Sequence, residues 1–271
     1  MRSTLSLILV LTIPVVSGSF FLSGCKERGV EPPPPPKDPR TYTWTVDTLA
    51  YPGSFQTLML DIWGSSSSNL YVVGHNDQNR GLMWHYNGNT WNDVRLSTTQ
   101  GGNIAGPIDL TAIYGFAAND IWAVGSRIFT NSHPPPNFFD SSLAVHYDGV
   151  RWREVSPAHS RSLQCVFGTS SSNIWTGSIN GTLYHYEGNG WTRDSVPLPI
   201  PPEEGPRSNV VSIAGHPAYG IYLLISAQRG SLEYSIFYTY QRMGNTWTIV
   251  DSSETTLYAA WMSSSGTLYA V

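Results

Sequence analysis

The sequence has little charge and few cysteines, and both shortages narrow the classes of protein it can belong to. Charged residues make up 13% of the chain and the formal net charge is −4, so no basic patch is available for nucleic acid. There are two cysteines, Cys25 and Cys165. If Cys25 carries a lipid, Cys165 has no partner for an internal disulfide. We then expect Cys165 to be a buried, unreactive thiol on an inner strand.

The sequence also lacks the short motifs that mark catalytic and metal sites. It contains no Gly-x-Ser-x-Gly elbow, phosphate loop, Cys-x-x-Cys pair or His-Glu-x-x-His motif. Glycosidases need two carboxyl groups within about 5–10 Å of each other across a cleft. The carboxylates here are scattered, at Asp61, Asp77, Asp93, Asp109, Asp140, Glu154, Glu203 and Glu204. We therefore predict no catalytic residue, no metal site and no cofactor.

Aromatic residues, which make up 13% of the chain, are arranged in a repeat. Five times, two residues that are nearly always bulky lie eight positions apart across a turn-like stretch. The pairs are Trp63/Tyr71, Tyr114/Trp122, Phe167/Trp175, Ala214/Tyr222 and Trp261/Tyr269. A period of roughly 50 residues with several short strands per unit is the signature of a β-propeller. We therefore predict an all-β propeller built of four-stranded antiparallel blades.

A second repeat supplies the other half of each unit. An aromatic residue, a tight turn and a tryptophan follow one another in residues 85–91, 146–152, 185–191 and 239–247. Asn-Gly and Asp-Gly between apolar runs favour hairpins, because both residue types tolerate a positive φ. Each unit is expected to run strand a, Ser/Asn turn, strand b, variable loop, strand c, tight turn, strand d. In the fourth unit, Tyr240 is the expected equivalent of Tyr86, with a longer c–d spacing.

The first forty residues predict export and a lipid anchor. Arg2, an apolar stretch over 5–16 and Leu22-Ser-Gly-Cys25 resemble a bacterial lipoprotein signal, in which the cysteine thiol carries diacylglycerol. An uncleaved transmembrane helix or an ordinary signal peptide is the alternative. We assign 1–24 to the signal peptide and 25–40, with five consecutive prolines, to a polyproline II tether. The expected location is the bacterial cell envelope, and Lys26 favours its outer membrane.

Residues 41–271 are assigned to the propeller. We predict a closing strand d at 41–48, four complete blades at 58–96, 109–156, 162–197 and 209–251, and a partial fifth blade at 256–271. In a closed propeller an N-terminal strand often completes the last blade, so that no sheet edge is left open. The blade that 41–48 would complete lacks its other strands. The simplest interpretation is therefore a longer propeller, truncated inside its fifth blade.

The lengths of the connections predict where a ligand binds. The a–b and c–d turns keep nearly constant lengths, whereas the b–c and d–a connections vary. In an up-and-down blade these two sets emerge on opposite faces, which we call the turn face and the variable face. Repeat proteins place their binding surface on the face whose loops vary.

Insertions on the variable face contain the candidate binding residues. They lie at 126–142 in blade 2 and at 196–209 between blades 3 and 4, and a third insertion at 97–108 is nearly uncharged. The candidates are Arg127, Phe129, His133, Phe138, Phe139, Asp140, Glu203, Glu204 and Arg207. Exposed aromatic side chains suit both stacking on sugar faces and protein interfaces. The alternative is that these loops fold back and only cover blade edges.

Three histidines recur at one repeat position, as His85, His146 and His185. Equivalent positions in successive blades lie far beyond the roughly 2 Å distances of zinc ligands. We therefore predict that each histidine makes a structural hydrogen bond to a neighbouring blade.

The whole repeat, from Trp63-Gly-Ser-Ser-Ser-Ser-Asn to Gly88-Asn-Thr-Trp91, resembles secreted bacterial β-propeller lipoproteins with Trp-Gly-Ser-Ser-type repeats. The resemblance covers about residues 41 to 271 and implies the fold rather than an activity. Gly88-Asn-Thr-Trp91 is also similar to the second half of a sialidase-type Asp box. Trp84 and Tyr86 replace the Ser and Asp that begin that box, and the arginine triad of sialidases has no match.

Three functional hypotheses follow. The leading one is a membrane-anchored, non-enzymatic module that binds or scaffolds a protein or polysaccharide through the variable face. The second is a carbohydrate-active enzyme, a hydrolase or lyase, whose catalytic residues lie partly in missing blades. The third is an assembly factor for an envelope complex. Charged residues converging on the channel mouth would favour the enzyme, whereas an aromatic, weakly charged rim would favour the binding module.

Overall fold

The chain folds into antiparallel β-sheets, as its repeats predict. The computed structural model describes residues 38–43, 45–78, 80–130, 138–199, 207–228 and 235–271, without the side chains of Pro39, Phe138 and Arg207. The described residues divide into two compact units between Val46 and Asp47. The described part of the first unit contains a 3-10 turn, Pro39–Thr41. Among the described residues, no helix has the length and apolar character needed to cross a membrane.

Four sheets have four strands each, and in every one the strands lie side by side in chain order. Blade 1 contains β1 (Thr57–Ser66), β2 (Asn69–Asn76), β3 (Met83–Tyr86) and β4 (Trp91–Asp93), and blade 2 contains β5 (Ile108–Ala117), β6 (Asp120–Thr130), β7 (Phe138–Tyr147) and β8 (Trp152–Glu154). Blade 3 contains β9 (Leu163–Ser170), β10 (Asn173–Ser178), β11 (Leu183–Tyr186) and β12 (Trp191–Asp194), and blade 4 contains β13 (Arg207–His216), β14 (Gly220–Gln228), β15 (Ser235–Met243) and β16 (Thr246–Ser253). A fifth sheet pairs β17 (Ala260–Met262) with β18 (Leu268–Ala270). The propeller fold and the four-stranded blades are therefore confirmed.

The closing strand d predicted at 41–48 stays a prediction. The described residues 41–43 and 45–48 contain no strand. A strand d forms its ladder with strand c of its own blade, and the described residues offer no such partner here. The segment does contact blade 1, however, because Trp91 Nε1 donates a hydrogen bond to Asp47 Oδ2 at 3.1 Å.

That contact reproduces a contact between complete blades. In blade 4, Trp247 Nε1 donates to Asp194 Oδ2, also at 3.1 Å. Asp194 follows the strand-d tryptophan of blade 3, Trp191, by three residues, as Asp47 follows Trp44. Asp47 therefore makes the same contact with blade 1 that the last residue of β12, Asp194, makes with blade 4.

In strand a of each complete blade, a glycine follows the repeat position held by Trp63, Tyr114, Phe167 and Ala214. Packing between blades explains two of these glycines. A Cβ atom on Gly115 would lie 2.7 Å from the Trp63 ring, and a Cβ atom on Gly215 would lie 3.0 Å from the Phe167 ring. Each ring therefore occupies space that the glycine of the following blade leaves open. Between blades 2 and 3 the fit differs, because a Cβ atom on Gly168 would lie 2.6 Å from Ile174 of its own blade and 2.7 Å from Phe116 of blade 2.

The three recurring histidines make their hydrogen bonds within their own blades. The prediction of a hydrogen bond to a neighbouring blade was therefore wrong. His85, His146 and His185 stack on the strand-b rings of Tyr71, Trp122 and Trp175, with centroids 4.3, 4.4 and 4.0 Å apart. Their Nε2 atoms lie 2.6 to 2.8 Å from Asn69 Oδ1, Asp120 Oδ1 and Asn173 Oδ1. Strand c pairs with strand b, so each histidine meets the residue two positions before its stacking partner.

Blade 4 corrects the predicted register of one strand. Arg242, not Tyr240, lies opposite Trp247, just as Tyr86 lies opposite Trp91. The Arg242 guanidinium carbon lies 5.3 Å from the Trp175 ring centroid of blade 3. In blade 3 the equivalent Tyr186 packs on Trp122 of blade 2, at 5.1 Å. An arginine thus replaces a tyrosine between two tryptophans.

Blade 1 is covered on only one side by described residues. Ile62 is 59% exposed, whereas its equivalents Ile113, Val166 and Ile213 are 4%, 8% and 6% exposed. Those three side chains are buried by the blade that precedes them. That further blades cover this side and complete the ring stays a prediction.

Candidate functional site

The inner strands line an open cavity of about 760 Å³. Strand a of each complete blade contains a register shift, and its extra residue lines this cavity. The four bulge residues are Leu60, Thr111, Gln164 and Val211. Sequence reasoning missed these bulges, because the residue types at the position share no pattern.

The polar groups of the cavity mostly connect neighbouring blades. Asp61 accepts hydrogen bonds from the amides of Ile113 and Ile62, both at 2.8 Å. Burial raises the pKa of Asp61, and these two amides oppose the shift. Asp61 is the one carboxylate among the described residues that line the cavity. A pair of acidic groups suited to glycoside hydrolysis is therefore not formed by those residues.

Cys165 also lines the cavity wall. Its side chain is buried, and burial raises the pKa of its thiol to about 12. The thiolate is the reactive form of cysteine, so this group is inert near neutral pH. The structure agrees with the expectation from the sequence. Among the described residues, no three His, Cys, Asp or Glu side chains lie close enough together to hold a metal ion.

The b–c connection of blade 2 is a long hairpin on the variable face. Strands β6 and β7 pair without interruption from Ile121 opposite Tyr147 to Thr130 opposite Phe138. Phe129 and Phe139 are direct cross-strand partners, and their rings stack with centroids 5.4 Å apart and planes at 20°. Although they stack, the two residues remain 39% and 49% exposed. The hairpin thus presents an aromatic pair to solvent.

Two ion pairs hold the base of this hairpin. Arg127 Nη2 lies 2.6 Å from Glu154 Oε2 on β8. Asp140 Oδ1 lies 2.8 Å from Arg161 Nη2, and Asp140 Oδ2 accepts the Ser162 amide at 2.8 Å. Burial alone would raise the pKa of Asp140, but the Ser162 amide and the Arg161 guanidinium lower it below its usual range.

These contacts show what Arg127 and Asp140 do within the fold, while their contact with a ligand stays a prediction. Both were predicted to bind a ligand, and the structure occupies their charges with partners in strand β8 and in the loop that follows it. They fix the direction of β6 and β7, and so they position Phe129 and Phe139. Sequence alone could not pair them, because the partner of Arg127 is 27 residues away and that of Asp140 is 21 residues away.

Several predicted residues lie outside the described part of the chain. His133, Glu203, Glu204 and the lipidation residue Cys25 are not described. Phe138 and Arg207 are described only as strand positions, opposite Thr130 and Gln228. The predictions made for these side chains stay predictions.

The variable face has two further exposed aromatic residues that the sequence reasoning missed. Phe55 precedes β1 and is 97% exposed, and Tyr258 precedes β17 and is 78% exposed. The loop around Phe55 is fixed, because Asp77 Oδ1 accepts the Ser54 hydroxyl at 2.6 Å and the Phe55 amide at 3.2 Å. The Ser54 hydroxyl is the main cause that lowers the pKa of Asp77 to about 2. Both residues could have been found from the sequence, because each is an aromatic residue just before a predicted strand a.

Comparisons with known proteins support the fold. No protein-family model matches the chain. No curated protein matches it either. Among solved structures, YCF48 bound to a D1 peptide is similar with a TM-score of 0.50 and 14% identity, over 79% of this chain and 62% of that one. The RRP9 WD40 repeats are similar with a TM-score of 0.51 and 11% identity, over 78% and 59%.

These two neighbours are β-propellers, and identities this low show the fold alone. The chain spans about three fifths of the length of each. A third similar structure is a GH32 β-fructofuranosidase from Bombyx mori, with a TM-score of 0.41 and 14% identity over 74% of this chain and 52% of that one.

Proposed function

We propose that this chain is a propeller-type binding module that takes a protein partner on its variable face. The observation that carries the proposal is the stacked pair of Phe129 and Phe139 on the β6–β7 hairpin. Aromatic side chains are over-represented among the residues that dominate the energy of protein interfaces. An exposed aromatic pair with no packing role in the core is a ready anchor of this kind.

The way the hairpin is held supports binding rather than loop packing. Arg127 and Asp140 tie each strand to the body of blade 2 through Glu154 and Arg161. The two rings are therefore ordered before a partner arrives, which lowers the entropy lost on association. A loop that merely covered a blade edge would bury its aromatic residues.

The rim also has the composition expected of a binding surface. Phe55 and Tyr258 add exposed rings at two other connections of the variable face. The hypothesis of a carbohydrate-active enzyme has less support, because such an enzyme needs two carboxylates. Among the described residues that line the cavity, Asp61 is the one carboxylate. A polysaccharide remains the alternative partner, since sugars also stack on aromatic rings.

Site-specific photocrosslinking tests the proposal. A photoreactive amino acid is placed at Phe129 and, as a matched control, at Val150, which is 81% exposed in the c–d turn of the same blade on the turn face. We expect a discrete protein adduct from position 129 in the producing cells and none from position 150. Two results would contradict the proposal: crosslinking of position 129 to polysaccharide, seen as a broad smear on a gel, or equal protein adducts from both positions.

We further propose that the module is held in the bacterial cell envelope by a lipid on Cys25. The support is the sequence pattern Leu22-Ser-Gly-Cys25 and the proline-rich segment that follows it. Two or three acyl chains would hold it firmly, because each buried CH₂ contributes about 0.8 kcal/mol. Cys25→Ser should move the protein from the membrane fraction to the soluble fraction, whereas Cys165→Ser should not. Membrane retention of Cys25→Ser would refute the anchor.

A further inference from the structure

A small pocket opens on the variable face between blades 1 and 2. Its volume is about 270 Å³. Four buried aliphatic side chains line it, from Leu82, Leu96, Ile104 and Ile108. Polar residues that also line it are Arg80, Asp93, Arg95, Ser97 and Thr98. The pocket therefore combines an apolar lining with two guanidinium groups.

One of the two arginines is available for a ligand. Arg95 Nε donates to Asp93 Oδ2 at 3.1 Å, so that pair is internally neutral. Arg80 is exposed, and its Nη1 contacts the Tyr51 hydroxyl at 3.5 Å. Among the described residues, no carboxylate lies within ion-pair distance of Arg80. The Asp93 carboxylate also acts on Arg80 through its charge, so the two arginines and one carboxylate of the pocket leave one net positive charge. A guanidinium fork favours a carboxylate with two acceptor oxygens.

The size of the pocket limits what can enter it. Small-molecule sites usually measure roughly 300–1,000 Å³, so this pocket fits a single side chain better than a larger compound. The apolar lining and Arg80 belong to one small space, so an occupant must have an apolar group and an anion only a few bonds apart. The last residue of a polypeptide with an aliphatic side chain meets this condition, because both groups are attached to one Cα.

We propose that this pocket captures the C-terminal residue of a partner protein, with the aliphatic side chain against the apolar lining and the carboxylate on Arg80. The inference names the partner chemistry for the variable face and rests on the proposed function. Ile108 of the pocket pairs with Arg127 in the β5–β6 ladder, two residues before Phe129. The pocket and the aromatic hairpin are therefore adjacent on one face, and one peptide can contact both.

The experiment uses the full chain and two fluorescently labelled tripeptides, Ala-Ala-Leu with a free C-terminal carboxylate and its C-terminal amide. Fluorescence anisotropy gives the dissociation constant of each. We expect amidation to weaken binding about tenfold or more, as loss of a hydrogen bond to a charged group does. Arg80→Gln should weaken the acid to the level of the amide and leave the amide unchanged. Arg151→Gln, at an exposed arginine in a c–d turn of the turn face, is the matched control and should bind like the parent.

Three outcomes would overturn the inference. They are equal affinities of the acid and the amide, an undiminished affinity of Arg80→Gln for the acid, and no saturable binding of either peptide. Complete displacement of the peptide by octanoate at equal concentration would assign the pocket to acyl chains instead, which also overturns it. If the peptide fails to bind while the Phe129 crosslink forms, this inference is wrong and the proposed function stands.

Discussion

Replacing Gly115 with alanine should loosen the contact between blades 1 and 2. The new Cβ would lie 2.7, 2.8 and 2.9 Å from Trp63 Cζ2, Cη2 and Cε2. Carbon atoms in good contact are about 3.5–4.0 Å apart, so the indole must move by roughly 0.8 Å or more. Trp63 packs against the buried cluster shared by the two blades, which resists that movement.

The expected cost follows from overpacking. Adding a methyl group to a well-packed interior typically costs about 1–3 kcal/mol in the free energy of unfolding. Gly190 provides the matched control, because a Cβ there would meet nothing within 4 Å. Gly190→Ala should therefore change the free energy of unfolding by less than about 0.5 kcal/mol.

Urea unfolding followed by far-ultraviolet circular dichroism measures both variants without relying on the fluorescence of Trp63. A Trp63→Ala background completes the test, since removing the ring removes the collision. In that background Gly115→Ala should be nearly neutral, which gives a coupling energy of about 1 kcal/mol or more between the two sites. Equal costs of Gly115→Ala with and without the indole would refute the account of the repeated dipeptide.

Two further predictions concern the interior. Arg242→Ala should destabilise the chain by about 2–4 kcal/mol in the same urea titration, because it leaves the largely buried Asp194 without its ion pair. Arg153→Ala, which breaks a solvent-exposed ion pair, should cost much less. Burial lowers the pKa of His85 and His185 from the usual 6.5, so their stabilising contribution is complete above that pH and declines as pH falls below it. Replacing both with Gln should flatten stability between about pH 7 and 5, and an unchanged slope would contradict this.

The blade repeat could be predicted because each unit repeats local signals. The c–d turns contain glycines with positive φ, such as Gly88 at 93° and Gly149 at 87°, so their sequences determine the hairpins directly. The register of blade 4 was mispredicted because Tyr240 matched the repeat by residue type. The constant turn length was the better guide, since four residues separate Arg242 from Trp247, as four separate Tyr86 from Trp91.

The candidate site was predictable only in part. Insertion length alone located the hairpin with Phe129 and Phe139. The ion pairs of Arg127 and Asp140 depend on which strands meet in space, and the sequence does not encode those meetings locally. The pocket beside Arg80 was missed for the same reason, because its lining comes from two separate connections, β2–β3 within blade 1 and β4–β5 between blades 1 and 2. Local patterns thus predict blades, whereas surfaces between blades require the fold.

The affinity of the crosslinked partner for matched variants tests the central claim most directly. The partner identified at position 129 is titrated against the parent chain, Phe129→Ser/Phe139→Ser and Val150→Ser. A partner anchored by the aromatic pair should lose about 2 kcal/mol or more of binding free energy, near thirtyfold in dissociation constant, in the double variant and nothing in Val150→Ser. Equal affinity for all three proteins, with their folds intact, would show that the aromatic pair does not anchor the partner and would contradict the proposed function.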